Sequence, residues 1–296
     1  MLIIGSHVSY KNDTQLVGSV KEALSYGANA FMFYTGAPQN TQRGEINDLI
    51  TVEALNIMKE NNIALENVIC HAPYIVNLAN NTDMDKYSFA IEFLRKEIER
   101  CMTLSVRGIV LHPGSATKLD REYAIDNIVY ALNKILMPED NIVILLETMA
   151  GKGTELGINI DELAYIIDHV ELKDKVGVCL DTCHLNDSGI DINEIDSYLD
   201  EFDSRIGIDK IGCVHVNDSK NPLGSKKDRH ENLGYGTIGF NALINVIYNE
   251  RLANVPKILE TPYVDRIYAP YKHEIVMIKN KTFNPNLIND ILNDNK

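Results

Sequence analysis

Ten residues, VGVCLDTCHL at positions 176–185, hold the densest chemistry in the chain. A short apolar run ends there on Asp181, Thr182, Cys183 and His184. Side chains alternate faces along a strand, so Asp181 shares a side with Cys179. The polar Thr182 and the turn-like segment 186–189 then say that the strand has stopped. A carboxylate and an imidazole are thus delivered together at one strand's C-terminal end. A capping Asp at an ordinary strand-to-loop junction would look the same if it stood alone. It does not stand alone. Five other apolar runs end in the same way, at Cys70-His71, Leu111-His112, Leu146-Glu147, Val214-His215 and Leu259-Glu260.

The elements that must position these residues are legible as a repeating unit. Short β-branched runs occur at 2–6, 30–34, 67–70, 108–111, 142–146, 176–180, 211–214 and 257–259. Helical periodicities fall between them at 15–26, 47–61, 85–104, 121–136, 160–169, 193–205 and 240–251, with a last one at 285–293. Strand alternating with helix implies a parallel sheet. Eight such units without a linker or a shift in composition predict one domain over residues 1–296, an α/β chain closed into a single (β/α)8 TIM barrel. Active sites of such barrels sit at the C-terminal face of the strands, which is where these six groups converge.

Six acids and imidazoles brought together are costly to bury without cations. Their mixture suits Zn2+, Mn2+ or Fe2+, whereas Mg2+ and Ca2+ prefer all-oxygen sets. His184 follows strand six directly, and the longest aperiodic stretch, 217–239, adds Asp228 and His230. Loops that long inside a domain are usually functional. Nine candidates are too many for one ion and match three ions of low coordination number with positions open to water and substrate. His7 ends strand one and is expected to support the mouth without ligating; His169 and His273 read as surface residues. Cys179 and Cys213 are expected one layer beneath Asp181 and His215, where small packing residues belong.

Composition sets the outer bounds. A hydrophobic share of 45% with 24% charged residues is that of a globular protein with a large core. No apolar run reaches membrane-spanning length, and Met1 leads straight into LIIGSH, which lacks the pattern of a secretion signal. Five cysteines, odd in number and mostly in apolar runs, read as reduced thiols of a cytoplasmic protein. The net charge of −14 runs against nucleic-acid binding in general. Bound dications would reverse it locally, and Lys220, Lys226, Lys227 and Arg229 form a basic cluster inside the long loop.

At these residues the chain resembles endonuclease IV, the family of zinc-dependent abasic-site endonucleases. The likeness runs through GSHVS at 5–9, YTGAPQN at 34–40, HAPYIVNLAN at 71–80, VLHPGS at 110–115 and LLETMAGKGTELG at 145–157. It continues through CLDTCHLNDSGID at 179–191, HVNDSKNPLGSKKDRHENLGYGTIG at 215–239 and LETP at 259–262, and so covers nearly the whole length. The resemblance implies three zinc ions per chain, with Mn2+ or Fe2+ able to substitute. His71, His112 and Glu147 would hold one ion. Glu147 would bridge to a second, completed by Asp181, His215 and Glu260, and His184, Asp228 and His230 would hold the third.

The resemblance further implies Glu147 and Glu260 as catalytic residues acting with a zinc-bound hydroxide. The substrate would be double-stranded DNA, cut 5′ to an abasic site to leave a 3′-hydroxyl, with blocked 3′ ends also removed. An extruded nucleotide that lacks its base has little stacking to lose, which favours recognition by flipping. Tyr74 matches a side chain that the family inserts into the minor groove. The loop after strand two departs from members that place an arginine there: it offers Gln39 and Asn40, with no arginine before Arg43. The resemblance implies a monomer without an obligate protein partner and without a membrane. Two other readings stay open on sequence alone. A sugar isomerase or epimerase would use one divalent ion on Glu147, Asp181, His215 and Glu260, and a non-catalytic zinc-binding or DNA-binding module would close the coordination and cleave nothing.

Overall fold

Each of the eight apolar runs forms a strand, and parallel pairing carries them round into a closed barrel. The structure, a computed structural model, describes residues 1–296. The wall consists of β1 (Ile4–His7), β2 (Ala30–Phe33), β3 (Val68–His71), β4 (Gly108–Leu111), β5 (Val143–Glu147), β6 (Val176–Asp181), β7 (Ile211–Val216) and β10 (Lys257–Leu259). It closes where β1 pairs with β10. Two short strands outside the wall, β8 (Asp218–Ser219) and β9 (His230–Glu231), pair antiparallel within the long loop.

The wall divides the core in two. Inside it, Ala30, Met32, Ile69, Val110, Leu145, Cys179, Cys213 and Ile258 fill the barrel. Outside it, the other face of each strand packs on the surrounding helices. Burial on both sides is why the strands read as continuous apolar runs. Those helices are α1 (Gln15–Ser25), α2 (Asp48–Glu60), α3 (Met84–Thr103), α4 (Arg121–Ile135), α5 (Ile160–His169), α6 (Thr182–Ser188), α7 (Ile195–Arg205), α8 (Phe240–Ile247), α9 (Tyr271–Asn280) and α10 (Leu287–Asp294).

Several boundaries differ from the sequence-based expectation. β3, β5 and β6 run one residue further and take His71, Glu147 and Asp181 into the ladder. The expected helix at 240–251 stops at Ile247, and a separate 3-10 turn covers Glu250–Leu252. The turn expected at 186–189 is instead the end of α6. Asp181 caps that helix by accepting from the His184 N–H at 2.8 Å, and Gly189 closes it at φ +114°. α9 was not expected at all, because Glu274 interrupts its apolar face; that carboxylate is buried.

One irregularity of the wall decides the site. The β6–β7 register shifts between Val178 and Cys179, so that Ile211 faces Val178 while Cys213 faces Cys179. Gly212 is the extra residue of this bulge, and a Cβ there would come within 2.5 Å of the Leu145 side chain. An unshifted register would set Asp181 opposite Val214 and turn His215 outward, since a slip of one residue reverses faces. With the bulge, Asp181 and His215 are partners.

Candidate metal centre

Glu147, on the last residue of β5, stands at the centre of the barrel mouth and is 1% exposed. Its Oε2 lies 3.2 Å from His71 Nε2 and 3.0 Å from His112 Nε2. Its Oε1 lies 3.2 Å from the Nδ1 atoms of both His184 and His215. One carboxylate therefore addresses two separate pairs of imidazoles. On its far side His215 Nδ1 is 3.1 Å from Glu260 Oε2 and 3.8 Å from Asp181 Oδ2. The long loop supplies the rest: Asp228 Oδ1 sits 3.2 Å from His184 Nε2 and 3.5 Å from His230 Nε2. All nine residues singled out from the sequence meet at one mouth.

Hydrogen bonds set which nitrogen faces inward. Nδ1 of His71 lies 2.7 Å from the Ala72 carbonyl, that of His184 2.9 Å from Thr148 O, and that of His230 3.2 Å from Glu260 O. A carbonyl only accepts, so each of these three rings donates from Nδ1 and turns Nε2 to the site. That is the arrangement of a metal-binding histidine. His215 is reversed, with Nδ1 toward the carboxylates and a buried Nε2 that has no partner. Beneath it lie Cys179 and Cys213, which point into the barrel as expected.

The electrostatics fit a cation. Burial opposes the charge of Glu147, yet His112 and His215 hold its carboxyl well below the usual range. Burial likewise works against Glu260 and Asp228, and His215 and His184 respectively overcome it and hold both low. Burial also opposes charge on His112, His184 and His215; the adjoining carboxylates outweigh it at the first two, the Cys179 sulfur and then Glu260 and Glu147 at His215, and all three are raised. The acids thus favour positive charge on these three imidazoles, and divalent ions would supply that charge in place of protons. His71, His112 and Glu147 converge closely enough to share an ion, as do Glu147, Asp181, His215 and Glu260. The third expected set is split: His184 and His230 converge with Asp181, whereas Asp228 and His230 converge with Cys183. The buried Nε2 of His230 has no hydrogen-bond partner and is aimed into the site, which suits a cation ligand.

Comparison with known proteins separates the readings that share this barrel. Residues 20–281 match the family described as xylose isomerase-like TIM barrel. Probable endonuclease 4 of Enterococcus faecalis is 50% identical over 99% of this chain and 100% of its own length. That of Ureaplasma urealyticum is 53% identical over 95% and 94%. This chain belongs to the endonuclease IV family. The crystal structure of endonuclease IV from Thermus thermophilus superposes with a TM-score of 0.79 at 28% identity, covering 94% of this chain and 97% of that one. A D-tagatose 3-epimerase-like protein superposes at 0.68, but at 18% identity it shares the fold alone.

Around the centre, the chain exposes the side chains read as DNA-facing. Tyr74 is 51% exposed, and Gln39, Asn40, Lys220, Lys226, Lys227 and Arg229 all face solvent. Lys220 approaches Glu231 at 3.8 Å. Arg43 does not reach outward. Its Nε pairs with the buried Glu97 at 2.7 Å, its Nη1 donates to the carbonyls of Ala37, Asn40 and Gln42, and its guanidinium covers the Phe93 ring at 5.0 Å. It braces the loop after β2 from within and leaves Gln39 and Asn40 at the tip.

Three positioning residues escaped the sequence reading. Asn217 joins two ligands, with Nδ2 donating to Asp181 Oδ2 at 2.8 Å and Oδ1 accepting from the Glu260 N–H at 3.0 Å. Thr148 accepts the Asp181 N–H through its hydroxyl at 2.9 Å while its carbonyl orients His184. Tyr34 packs between His7 and His71, with ring centroids 4.8 and 5.1 Å away. His7 sits as expected beside the ligands: burial drives its pKa down to about 4, against the pull of Glu260, so the ring is neutral. Only Asn217 carried a signal, its place two residues beyond a ligand in HVND.

Proposed function

We propose that this chain hydrolyses the phosphodiester 5′ to abasic sites in duplex DNA, leaving a 3′-hydroxyl, and that it also clears blocked 3′ ends. The observation that carries this reading is Glu147, whose two oxygens each address a different set of imidazoles. Its Oε2 with His71 and His112 would hold one zinc ion. Its Oε1 with Asp181, His215 and Glu260 would hold a second, and His184, Asp228 and His230 a third. Mn2+ or Fe2+ suits the same donors. When bound, such ions lower the pKa of water to roughly 7 and neutralise charge on a phosphodiester in an in-line displacement.

The chain's own residues do the rest. Main-chain carbonyls behind His71, His184 and His230 fix the direction of the inward nitrogens. Glu147, Asp181 and His215 are nearly inaccessible to water, which strengthens every charge interaction there. Three dications against four carboxylates would leave two positive charges and would draw a phosphate to this mouth although the whole chain is −14. Lys220, Lys226, Lys227 and Arg229 extend that field along the rim. Tyr74, Gln39 and Asn40, all exposed, would enter a duplex that has lost a base. The protein would act as a monomer.

Metal analysis beside a gel assay tests the proposal. About three zinc ions per chain, and incision of an abasic duplex but not an intact one, support it. One manganese ion, an intact abasic duplex and turnover of a ketose sugar would sink it in favour of an isomerase.

A further inference from the structure

The third ligand set differs from the others in its mounting, and one buried acid outside the site accounts for that. Asp187 lies on α6, three residues after His184, so both side chains share one face of the helix. It is fully buried. A buried carboxylate is tolerated only when its lone pairs are used, and here they are. Oδ1 accepts from Ser219 Oγ at 2.7 Å and Asn186 Nδ2 at 3.0 Å; Oδ2 accepts from Asn221 Nδ2 at 3.1 Å and from the main-chain N–H of Asp228 at 2.9 Å. The Asp187 carbonyl accepts the Lys226 N–H at 2.9 Å, and the Asn186 carbonyl takes that of Gly224 at 2.9 Å.

Two of these contacts meet a specific need. Lys226 and Asp228 hold left-handed backbone angles, φ +55° and +56°, which non-glycine residues avoid. Such a conformation persists only where its surroundings over-determine it. The N–H of each strained residue ends on Asp187, one on the carbonyl and the other on the carboxylate. Release of the carboxylate frees Asp228 to relax, and Asp228 Oδ1 then leaves its place 3.2 Å from His184 Nε2.

We propose that Asp187 is the positioning residue for the third metal ion: it binds the loop that carries Asp228 and His230 to the helix that carries His184, and so sets the affinity of that ion alone. This rests on the three-ion reading above. The ions on Glu147 and the strand ends do not depend on the clamp, because their ligands stand on the barrel wall.

Zinc release from the fully loaded protein to a graded series of chelators tests it, with thermal melts and amide exchange alongside. In Asp187→Ala one zinc ion of three leaves about 10- to 100-fold more readily, the usual effect of removing an outer partner of a ligand. The other two leave at wild-type chelator strength, and exchange quickens within residues 224–230. Ser219→Ala and Asn221→Ala, which each remove one donor, shift the same ion by less and cover the case in which Asp187→Ala does not fold. Three ions that all leave at wild-type strength overturn the inference alone, as do three ions that loosen together with a lowered melting point. A wild-type protein that never holds a third zinc ion overturns the three-ion reading along with it.

Discussion

Six of the nine centre residues stand at the ends of barrel strands, whereas three stand on α6 and the loop behind β7. The first set is placed by main chain. His71, Glu147 and Asp181 each pair with a residue of the next strand in the parallel ladder, His215 pairs on both sides, and His112 and Glu260 follow one residue after their strands. The second set has almost no ladder, only the two-residue pairing of β8 with β9. Buried carboxylates take over the work there. Asp187 holds Asp228, and Asp218 accepts the main-chain N–H groups of Ser219, Gly234, Gly236, Ile238 and Gly239. A loop can therefore match the precision of a strand end by substituting side-chain acceptors for ladder carbonyls. Each such acceptor then organises several residues at once.

The contrast can be broken at its strongest point first. Glu147→Ala removes the group shared by the ligand sets, and incision of an abasic duplex should fall by more than about a hundredfold, the upper range for an outer partner. The melting transition should persist, because the wall closes through main-chain pairs; near-normal turnover would refute the metal assignment. Asp218→Ala strips five N–H groups of their acceptor. A loss of roughly 1–3 kcal/mol is expected from denaturant midpoints, and an unchanged midpoint would show that water serves the loop equally well. Exchanging Lys226 and Lys227 for Ala removes charge from the same loop and leaves its clamps in place. The slope of log affinity for DNA against log salt should flatten by about 0.9 for each lost phosphate contact; an unchanged slope puts the DNA elsewhere.

A separate effect, apart from the metal centre, lies at the opposite end of β10. Lys257 is fully buried, and its ammonium group reaches only the Leu252 carbonyl. Burial pushes its pKa from 10.5 down to about 8. Between those values the unfolded chain binds the proton and the folded chain does not, so the Lys257 contribution to stability rises with pH across that window. Lys257→Met should be the more stable protein below pH 8 and should lose that rise. A parallel pair of stability curves would mean that the charge is satisfied where it stands. Three residues along, Glu260 is a half-buried charge of the opposite kind, held ionised by His215.

Legibility followed the same division. The strand-end ligands could be read because each is a local event, an apolar run closed by His, Glu or Asp. Asp228 and His230 stood out only as acid and imidazole inside a long loop, and their grouping came from the resemblance. Asp187 looked like part of a turn, since its partners at 219, 221 and 228 lie more than 30 residues away. Asn217 was passed over for the same reason: it links strands β6 and β10 by side-chain bonds that no periodicity announces. Arg43 drew notice as the first arginine after β2, but its inward direction depends on Glu97 in α3.

The sequence by itself determined the alternation of strand and helix, the donor chemistry of the mouth and its excess of carboxylate, because these follow from local period and residue type. The tertiary structure decided which donors stand level, through a bulge at Gly212, and which imidazole nitrogen each presents, through carbonyls elsewhere in the chain. Coordination depends on atoms a few ångströms apart in space and tens of residues apart in sequence. Register and hydrogen-bond direction are what turn one into the other.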